Sequence, residues 1–168
     1  MIAATGIPQP LPEGRFAGRV AFTALVRSAL ACAAREGWSS LLLSDADFAD
    51  WPLGEREVID SLNAWAGRGR HLRLLAQDFA PLRRLHPRFV QWRTTWSHIV
   101  EAQAWPTAPV GDVPSAICGV AWSMERLDPL RSAGISGADA GRRVALLERI
   151  EMAWSRGGPG FPPTTLGL

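Results

Sequence analysis

Apolar residues recur along most of the chain with the spacing of one helix face. Beginning near Arg19, an i, i+3, i+4 pattern that includes Phe22, Val26 and Leu30 predicts an amphipathic helix that ends at Gly37. The same periodicity predicts three further helices. Their apolar stripes are Val58, Leu62, Trp65 and Ala66; Leu82, Leu85, Phe89, Trp92 and Trp96, with a break at Pro87; and Val144, Leu147, Ile150 and Trp154, after Asp139.

Short apolar or alternating runs between these helices predict four strands. They cover residues 39–45, 71–77, 98–105 and 115–122. Because helices separate the first three strands, crossovers should leave those three parallel, whereas the fourth can pair antiparallel. The sequence thus predicts one α/β domain over residues 15–156, with a mixed, mostly parallel sheet flanked by helices. Residues 1–14 should form a flexible arm, and residues 157–168 a disordered Gly/Pro-rich tail.

Composition excludes several classes of function. The 168 residues carry a net charge of +2, and all 18 basic residues are arginine, which indicates a GC-rich, bacterial genome and excludes any lysine-based site. The chain does not open on a basic segment followed by an apolar run, and its most apolar stretch contains Arg27. We therefore expect a cytoplasmic protein with no membrane partner. Cys32 and Cys118 match no metal or redox spacing, so reduced, buried thiols are expected.

Aspartates follow the first predicted strand, at the end where ligands of α/β sheets usually bind. An apolar strand followed by Asp45-x-Asp47 is similar to the haloacid dehalogenase-like phosphatases. The resemblance implies a nucleophile at Asp45, a general acid at Asp47 and a bound Mg²⁺, although Ala49 stands where that family has Thr or Val. The alternative function is therefore a phosphate-ester hydrolase that uses these aspartates with Mg²⁺, or the histidines. The favoured interpretation is an acidic loop that caps the next helix.

The most basic segment runs from Arg68 to His98 and holds seven arginines, all three histidines and one acid. It follows an acidic segment, residues 36–60, with seven acids and one arginine. One interpretation is an anion or nucleic-acid site in which Trp92 or Trp96 stacks on the ligand. The other is a solvated helix face whose charge the acidic segment partly neutralises. Because the overall charge is nearly balanced, we favour the second and expect nucleic acid to be an unlikely partner.

Histidines complete the set of candidate site residues. They stand at His71, His86 and His98, and this spacing fits no local metal motif, so no metal or other cofactor is expected. His98, at the start of the third predicted strand, joins Asp45 and Asp47 as a candidate for catalysis. The candidate ligand-binding residues are His71, Arg83, Arg88 and Trp96.

The segment from Ser39 to Trp154 resembles one repeat of the phospholipase D-like fold. The shared order is strand, helix, strand, arginine-rich helix, strand pair and a last apolar helix that ends in tryptophan. The signature of that superfamily is H-x-K-x4-D, and Val100 and Trp105 stand where a signature starting at His98 needs its lysine and aspartate. The resemblance therefore implies a non-catalytic member that binds a protein partner or an anionic ligand. It also implies a homodimer, because such repeats generally pack in pairs.

Overall fold

Five helices and eight strands make up the computed structural model, which describes residues 10–164. The helices are α1 (Arg19–Glu36), α2 (Arg56–Trp65), α3 (Ala80–Leu85), α4 (Pro87–Thr95) and α5 (Ala140–Arg156). The strands are β1 (Gly14–Phe16), β2 (Ser40–Asp45), β3 (His71–Ala76), β4 (Val100–Ala104), β5 (Ser115–Cys118), β6 (Ser123–Asp128), β7 (Ala133–Gly137) and β8 (Gly158–Pro159). A 3₁₀ turn, Ser97–Ile99, precedes β4. None of the helices between residues 10 and 164 has the length and apolar character needed to cross a membrane.

The helices begin and end where the sequence supplies the required local geometry. α1 ends at Gly37, whose φ of 68° lies in the left-handed region that glycine adopts without strain. The third predicted helix is two helices, because the ring of Pro87 cannot continue the backbone hydrogen bonding of α3 and the chain turns at His86. α5 begins after Asp139, whose carboxylate accepts a hydrogen bond from the backbone N–H of Arg142 at 2.7 Å. The predicted helix boundaries at Gly37 and Asp139 are confirmed.

The strands form one mixed sheet in the order β1-β7-β6-β5-β2-β3-β4-β8. β2, β3 and β4 are parallel neighbours, with Leu42 beside Arg73 and Leu74 beside Ala102. β5 runs antiparallel to β2 on its other side. This part of the structure confirms an α/β domain with a mixed sheet flanked by helices.

The prediction that the sheet is mostly parallel is wrong. Within residues 10–164, five of the seven strand pairings are antiparallel, because β5, β6 and β7 form a meander and β1 and β8 pair at the two edges. β6 buries the charged residues Glu125 and Arg126, and β7 consists mainly of small residues. Neither strand carries the apolar alternation that predicts a strand from sequence, so both were missed.

Helices cover both faces of the sheet. α1 to α4 cover one face, and the core between them and the sheet includes Leu43, Leu74 and Ile117. α5 covers the other face, where Ile150 belongs to a second apolar cluster with Leu42. Because β2 and β3 are parallel, the residues that follow them meet at one end of the sheet, and this end contains the candidate aspartates.

Parts of the segments predicted as a flexible arm and a disordered tail contact the rest of the fold within residues 10–164. The backbone carbonyl of Pro12 accepts hydrogen bonds from Trp122 Nε1 at 3.2 Å and from Ser136 Oγ at 2.9 Å, and β1 follows directly. Near the other end, β8 pairs with β4, and the ring of Phe161 is only 3% exposed. Residues 1–9 and 165–168, on which the rest of these two predictions falls, lie outside the described residues.

Replacing Asp139 by alanine should lower the free energy of unfolding by about 1 kcal/mol, because the first turn of α5 then loses its side-chain cap. Asp139→Asn should keep most of the stability, since an amide oxygen accepts the same hydrogen bond. Urea unfolding of the two variants and the parent measures both effects. An alanine variant as stable as the parent would contradict the capping role.

Candidate functional site

A buried arginine, Arg126 on β6, lies at the end of β2 where the sequence indicated a catalytic aspartate. Its side chain is 2% exposed and donates to Asp45 Oδ1 at 3.0 Å. It also donates to both carboxylate oxygens of Asp50, at 2.7 and 3.0 Å. Ser115 Oγ accepts from Nε at 2.8 Å, and Ser132 Oγ accepts from Nη1 at 3.2 Å. All five guanidinium N–H groups therefore have an acceptor inside the protein.

Contacts on every side hold the Asp45 carboxylate in place. Oδ1 accepts from Arg126, while Oδ2 accepts from the backbone N–H groups of Phe48 at 2.8 Å and of Asp47 at 3.2 Å. Burial acts to lower the pKa of Arg126, but the hydrogen bond to Asp50 and the charge of Asp45 outweigh it and raise that pKa. Arg126 therefore stays cationic, and Asp45 serves to bind it and to shape the loop after β2.

Sequence reasoning did not single out Arg126. The guanidinium lies 3.9 Å from the ring centroid of Phe22, so the charge is buried in the face of the sheet that α1 covers. The signal that could have found it is the pair Glu125 and Arg126 inside a strand-length segment. A buried charge requires an opposite charge nearby, and the aspartates at 45–50 were a candidate partner for Arg126.

Asp47 lies only two residues from Asp45 but borders a different space. We call this space the strand-end cleft; it lies at the carboxyl ends of β2 and β3 and has a volume of about 640 Å³. Its polar and aromatic border includes Asp47, Gln77, Asp78, Arg83 and Phe161. Since Asp45 is bonded to Arg126 instead, the structure separates the two carboxylates that the phosphatase resemblance requires to act together.

The described residues do not fit the Mg²⁺ site that the alternative function needs. Between residues 10 and 164, no three His, Cys, Asp or Glu side chains are arranged so that they could hold a metal ion. Arg126 and two backbone N–H groups already occupy the oxygens of Asp45. A magnesium ion at this position would have to displace all of these donors.

The histidines lie in three different environments. His71 is exposed at the start of β3 and lies 3.1 Å from Glu101, and His98 is exposed just before β4, with its ring 5.8 Å from that of Trp96. Both are at the amino ends of parallel strands, roughly 16 Å of strand length away from Asp45 at a carboxyl end. His86 is buried and its Nε2 donates to the backbone carbonyl of Phe48 at 2.9 Å. The structure therefore does not bring His71 or His98 together with Asp45.

Three arginines project from α3 and the first turn of α4. We call Arg83, Arg84 and Arg88 the α3–α4 arginine segment. Arg84 and Arg88 are exposed, and Arg83 is half-buried with its guanidinium 5.0 Å from the ring centroid of Phe161. Arg88 donates one hydrogen bond to the carbonyl of Gly54 at 2.9 Å. Among the described residues, these three form no ion pair with an acid, in contrast to Arg126.

Neither tryptophan predicted to stack on a ligand lies free beside these arginines. Trp92 is 3% exposed and packs against Phe89, with the ring centroids 5.7 Å apart. Trp96 is half-buried, and its Nε1 donates to Asn63 at 3.4 Å. The basic segment therefore presents guanidinium groups without an exposed aromatic platform, which suits contacts with phosphates better than stacking on bases.

Comparisons with known proteins add one finding about the fold. No protein-family model matches the chain, and no curated protein matches it. Among solved structures, the chain is similar to TrmBL2, an archaeal chromatin protein whose structure shows a novel mode of DNA binding, with a TM-score of 0.65 and 13% sequence identity. The match covers 95% of this chain and 57% of that chain, so this protein spans little more than half of its neighbour. At this identity the likeness shows a shared fold.

The comparison corrects one expectation about partners. We expected nucleic acid to be an unlikely partner because the overall charge is nearly balanced. That expectation is wrong as an argument from charge alone, since the fold also occurs in a DNA-binding chromatin protein. The finding does not bear on the phospholipase D-like resemblance, which stays a prediction.

Proposed function

We propose that this chain is a non-catalytic α/β domain that binds an anionic partner, and that the partner is the phosphate backbone of DNA. The observation that carries the proposal is the α3–α4 arginine segment. Its three guanidinium groups lie on one pair of short helices and form no ion pair among residues 10–164. When such arginines contact phosphates, counterions are released from the DNA. This release favours binding and does not depend on the base sequence.

The arrangement around Asp45 supports binding rather than catalysis. A catalytic carboxylate must be free to attack a substrate or to exchange a proton with it, but Asp45 is 4% exposed and bonded on both oxygens. Removing Asp45 would leave the buried guanidinium of Arg126 with one acceptor fewer, which destabilises the fold. Stable ion pairing of this kind is typical of a structural element.

The likeness to TrmBL2 supports DNA as the anionic partner. That protein binds DNA, and the part of it that resembles this chain is 57% of its length. The present proposal adds the chemical group on this chain that would make the contact. With a net charge of only +2, the chain offers no strong long-range attraction, so binding depends on local contacts at the arginine segment.

The proposal predicts a strong salt dependence that is specific to three positions. The triple variant Arg83→Ala, Arg84→Ala, Arg88→Ala should bind a short DNA duplex more weakly, and the slope of log K against log salt should fall by about one for each phosphate that the variant no longer binds. Fluorescence anisotropy with labelled duplexes at several salt concentrations measures both quantities. Duplexes of different sequence should lose affinity equally, since the DNA backbone carries no sequence information.

A matched control removes three exposed arginines elsewhere. Arg15→Ala, Arg35→Ala, Arg142→Ala changes the net charge by the same amount, and all three side chains are exposed. This variant should keep the parent affinity and slope within about twofold, because general charge contributes little here. Equal weakening by both variants, or DNA binding that neither changes, would contradict a role for the α3–α4 arginine segment.

A further inference from the structure

A second cleft in the structure is bordered by two arginines, Arg88 of the α3–α4 arginine segment and Arg19 of α1. It is an open cleft of about 840 Å³ between α1, α4 and the loop that precedes α2, and we call it the α1–α4 cleft. Its charged and amide side chains are Arg19, Asp50, Glu55, Arg88 and Gln91. The volume is in the range of clefts that bind small molecules.

The two acids that border this cleft are each paired with an arginine that is not part of the cleft lining. Both oxygens of Asp50 accept hydrogen bonds from the buried guanidinium of Arg126. Both oxygens of Glu55 accept from Arg27, at 2.7 and 2.8 Å, and this hydrogen bonding lowers the pKa of Glu55. Neither carboxylate is therefore left to repel an incoming anion with its full charge.

The two arginines of the cleft keep donors that the protein does not use. Arg19, the first residue of α1, has a side chain that is 63% exposed, and its Nη2 lies 3.8 Å from Asp50 Oδ2, beyond hydrogen-bond distance. Arg88, on α4, donates one hydrogen bond to the carbonyl of Gly54. Because Arg126 and Arg27 already pair with the two acids that border the cleft, the guanidinium groups of Arg19 and Arg88 keep donors for an incoming anion.

We propose that the α1–α4 cleft binds a phosphate group, held by Arg19 and Arg88 with Gln91 as an additional amide donor. Guanidinium groups suit this ligand because their planar N–H donors match the oxygens of a phosphate in pairs. The inference rests on the proposed function in that Arg88 belongs to both surfaces, and it adds Arg19, which lies outside the basic segment of the sequence. The phosphate is either one link of a DNA backbone or part of a free phosphate ester, since both present the same oxygens.

Thermal unfolding in the presence of inorganic phosphate tests the cleft without DNA. The Tm of the parent should rise with phosphate concentration between about 1 and 50 mM, compared with chloride at equal ionic strength, by mass action on the folded state. Arg19→Gln should weaken phosphate binding about tenfold, because it removes a charge-assisted pair of hydrogen bonds. Arg131→Gln is the matched control, since Arg131 is also exposed and close to a single aspartate but lies outside the cleft. It should retain the parent response.

Titrations with adenosine monophosphate and with a short DNA duplex distinguish the two sources of the phosphate. If the cleft receives a DNA phosphate, Arg19→Gln should also lower the affinity for the duplex and reduce the salt slope by about one. If the cleft receives a free ester, adenosine monophosphate should raise the Tm of the parent but not that of Arg19→Gln, and duplex affinity should be unchanged. Either result supports phosphate binding in the cleft.

Two results would overturn the inference, and they differ from failure of the proposed function. Phosphate that stabilises the parent and Arg19→Gln equally, or that stabilises neither, excludes the cleft as a phosphate site, even if the variant Arg83→Ala, Arg84→Ala loses DNA binding. Conversely, a parent that does not bind DNA but shows a phosphate response lost in Arg19→Gln refutes the proposed function and leaves the cleft intact. Unchanged unfolding of Arg19→Gln without phosphate shows that the variant is folded.

Discussion

Replacing Arg126 by methionine should lower the free energy of unfolding by about 3–5 kcal/mol, the cost of removing one partner from a buried ion pair. The change keeps most of the side-chain volume but leaves Asp45 and Asp50 without the cation that both bind. Two serine hydroxyls lose their donor as well. Chemical denaturation monitored by tryptophan fluorescence measures the loss, with the folded state of each variant checked by circular dichroism.

Two further variants separate the buried network from a general effect of losing an arginine. Arg131→Met removes an exposed arginine paired with Asp128, and it should cost less than about 1 kcal/mol because the pair is screened by solvent. Adding Asp45→Asn and Asp50→Asn to Arg126→Met should recover part of the loss, since no uncompensated negative charge then remains at the site. An Arg126→Met protein as stable as Arg131→Met would refute a structural role for the network.

Truncation of Phe161 to alanine should destabilise the fold by about 3–5 kcal/mol, as expected for removing a buried aromatic ring from a core. The ring stacks on Phe79 with the centroids 5.2 Å apart, and the guanidinium groups of Arg83 and Arg93 lie 5.0 and 5.8 Å from its centroid. The buried guanidinium of Arg93 also donates to the carbonyl of Phe161 at 3.3 Å. Losing the ring would thus expose the end of the core between α3, α4 and β4.

The neighbouring proline provides the control for this prediction. Pro162 is exposed, and Pro162→Ala should change the stability by less than about 0.5 kcal/mol. Phe161→Leu retains much of the apolar volume and should fall between the two. If Phe161→Ala has no greater effect than Pro162→Ala, the segment after α5 contributes nothing to the fold in solution, and the predicted disordered tail would be the better description.

Hydrophobic periodicity was sufficient to predict the part of the fold that is built from amphipathic helices and apolar strands. The stripe through Phe22, Val26 and Leu30 needs burial on one side, which an amphipathic helix provides. The run of leucines in β2 needs burial on both faces, which a strand inside a covered sheet provides. The parallel order of β2, β3 and β4 follows from the helices between them. Local geometry at Gly37 and Asp139 then fixed two helix ends.

Contacts between residues far apart in the sequence determine the parts of the fold that local sequence patterns did not predict. β6 is a strand because it pairs with β5 and β7, and its Arg126 bonds to two aspartates 76 and 81 residues away along the chain. No window around β6 contains the information about those aspartates. The glycines and prolines from Gly157 onward predict a disordered segment. Gly160 instead permits close contact with β4, where an added Cβ would lie 2.8 Å from that of Ala104. The same holds for the candidate site. Asp45 lies at the end of the first predicted strand, but the sequence pattern did not predict its partner, Arg126.

The two outer strands of the sheet limit how this protein can meet other chains. β1 has three residues and β8 has two, one of which, Pro159, has no N–H to donate. A foreign strand needs a longer row of free backbone groups to add itself to a sheet, and short or proline-containing edge strands disfavour such edge-to-edge association. Edges of this kind therefore disfavour fibril-like growth by addition of strands.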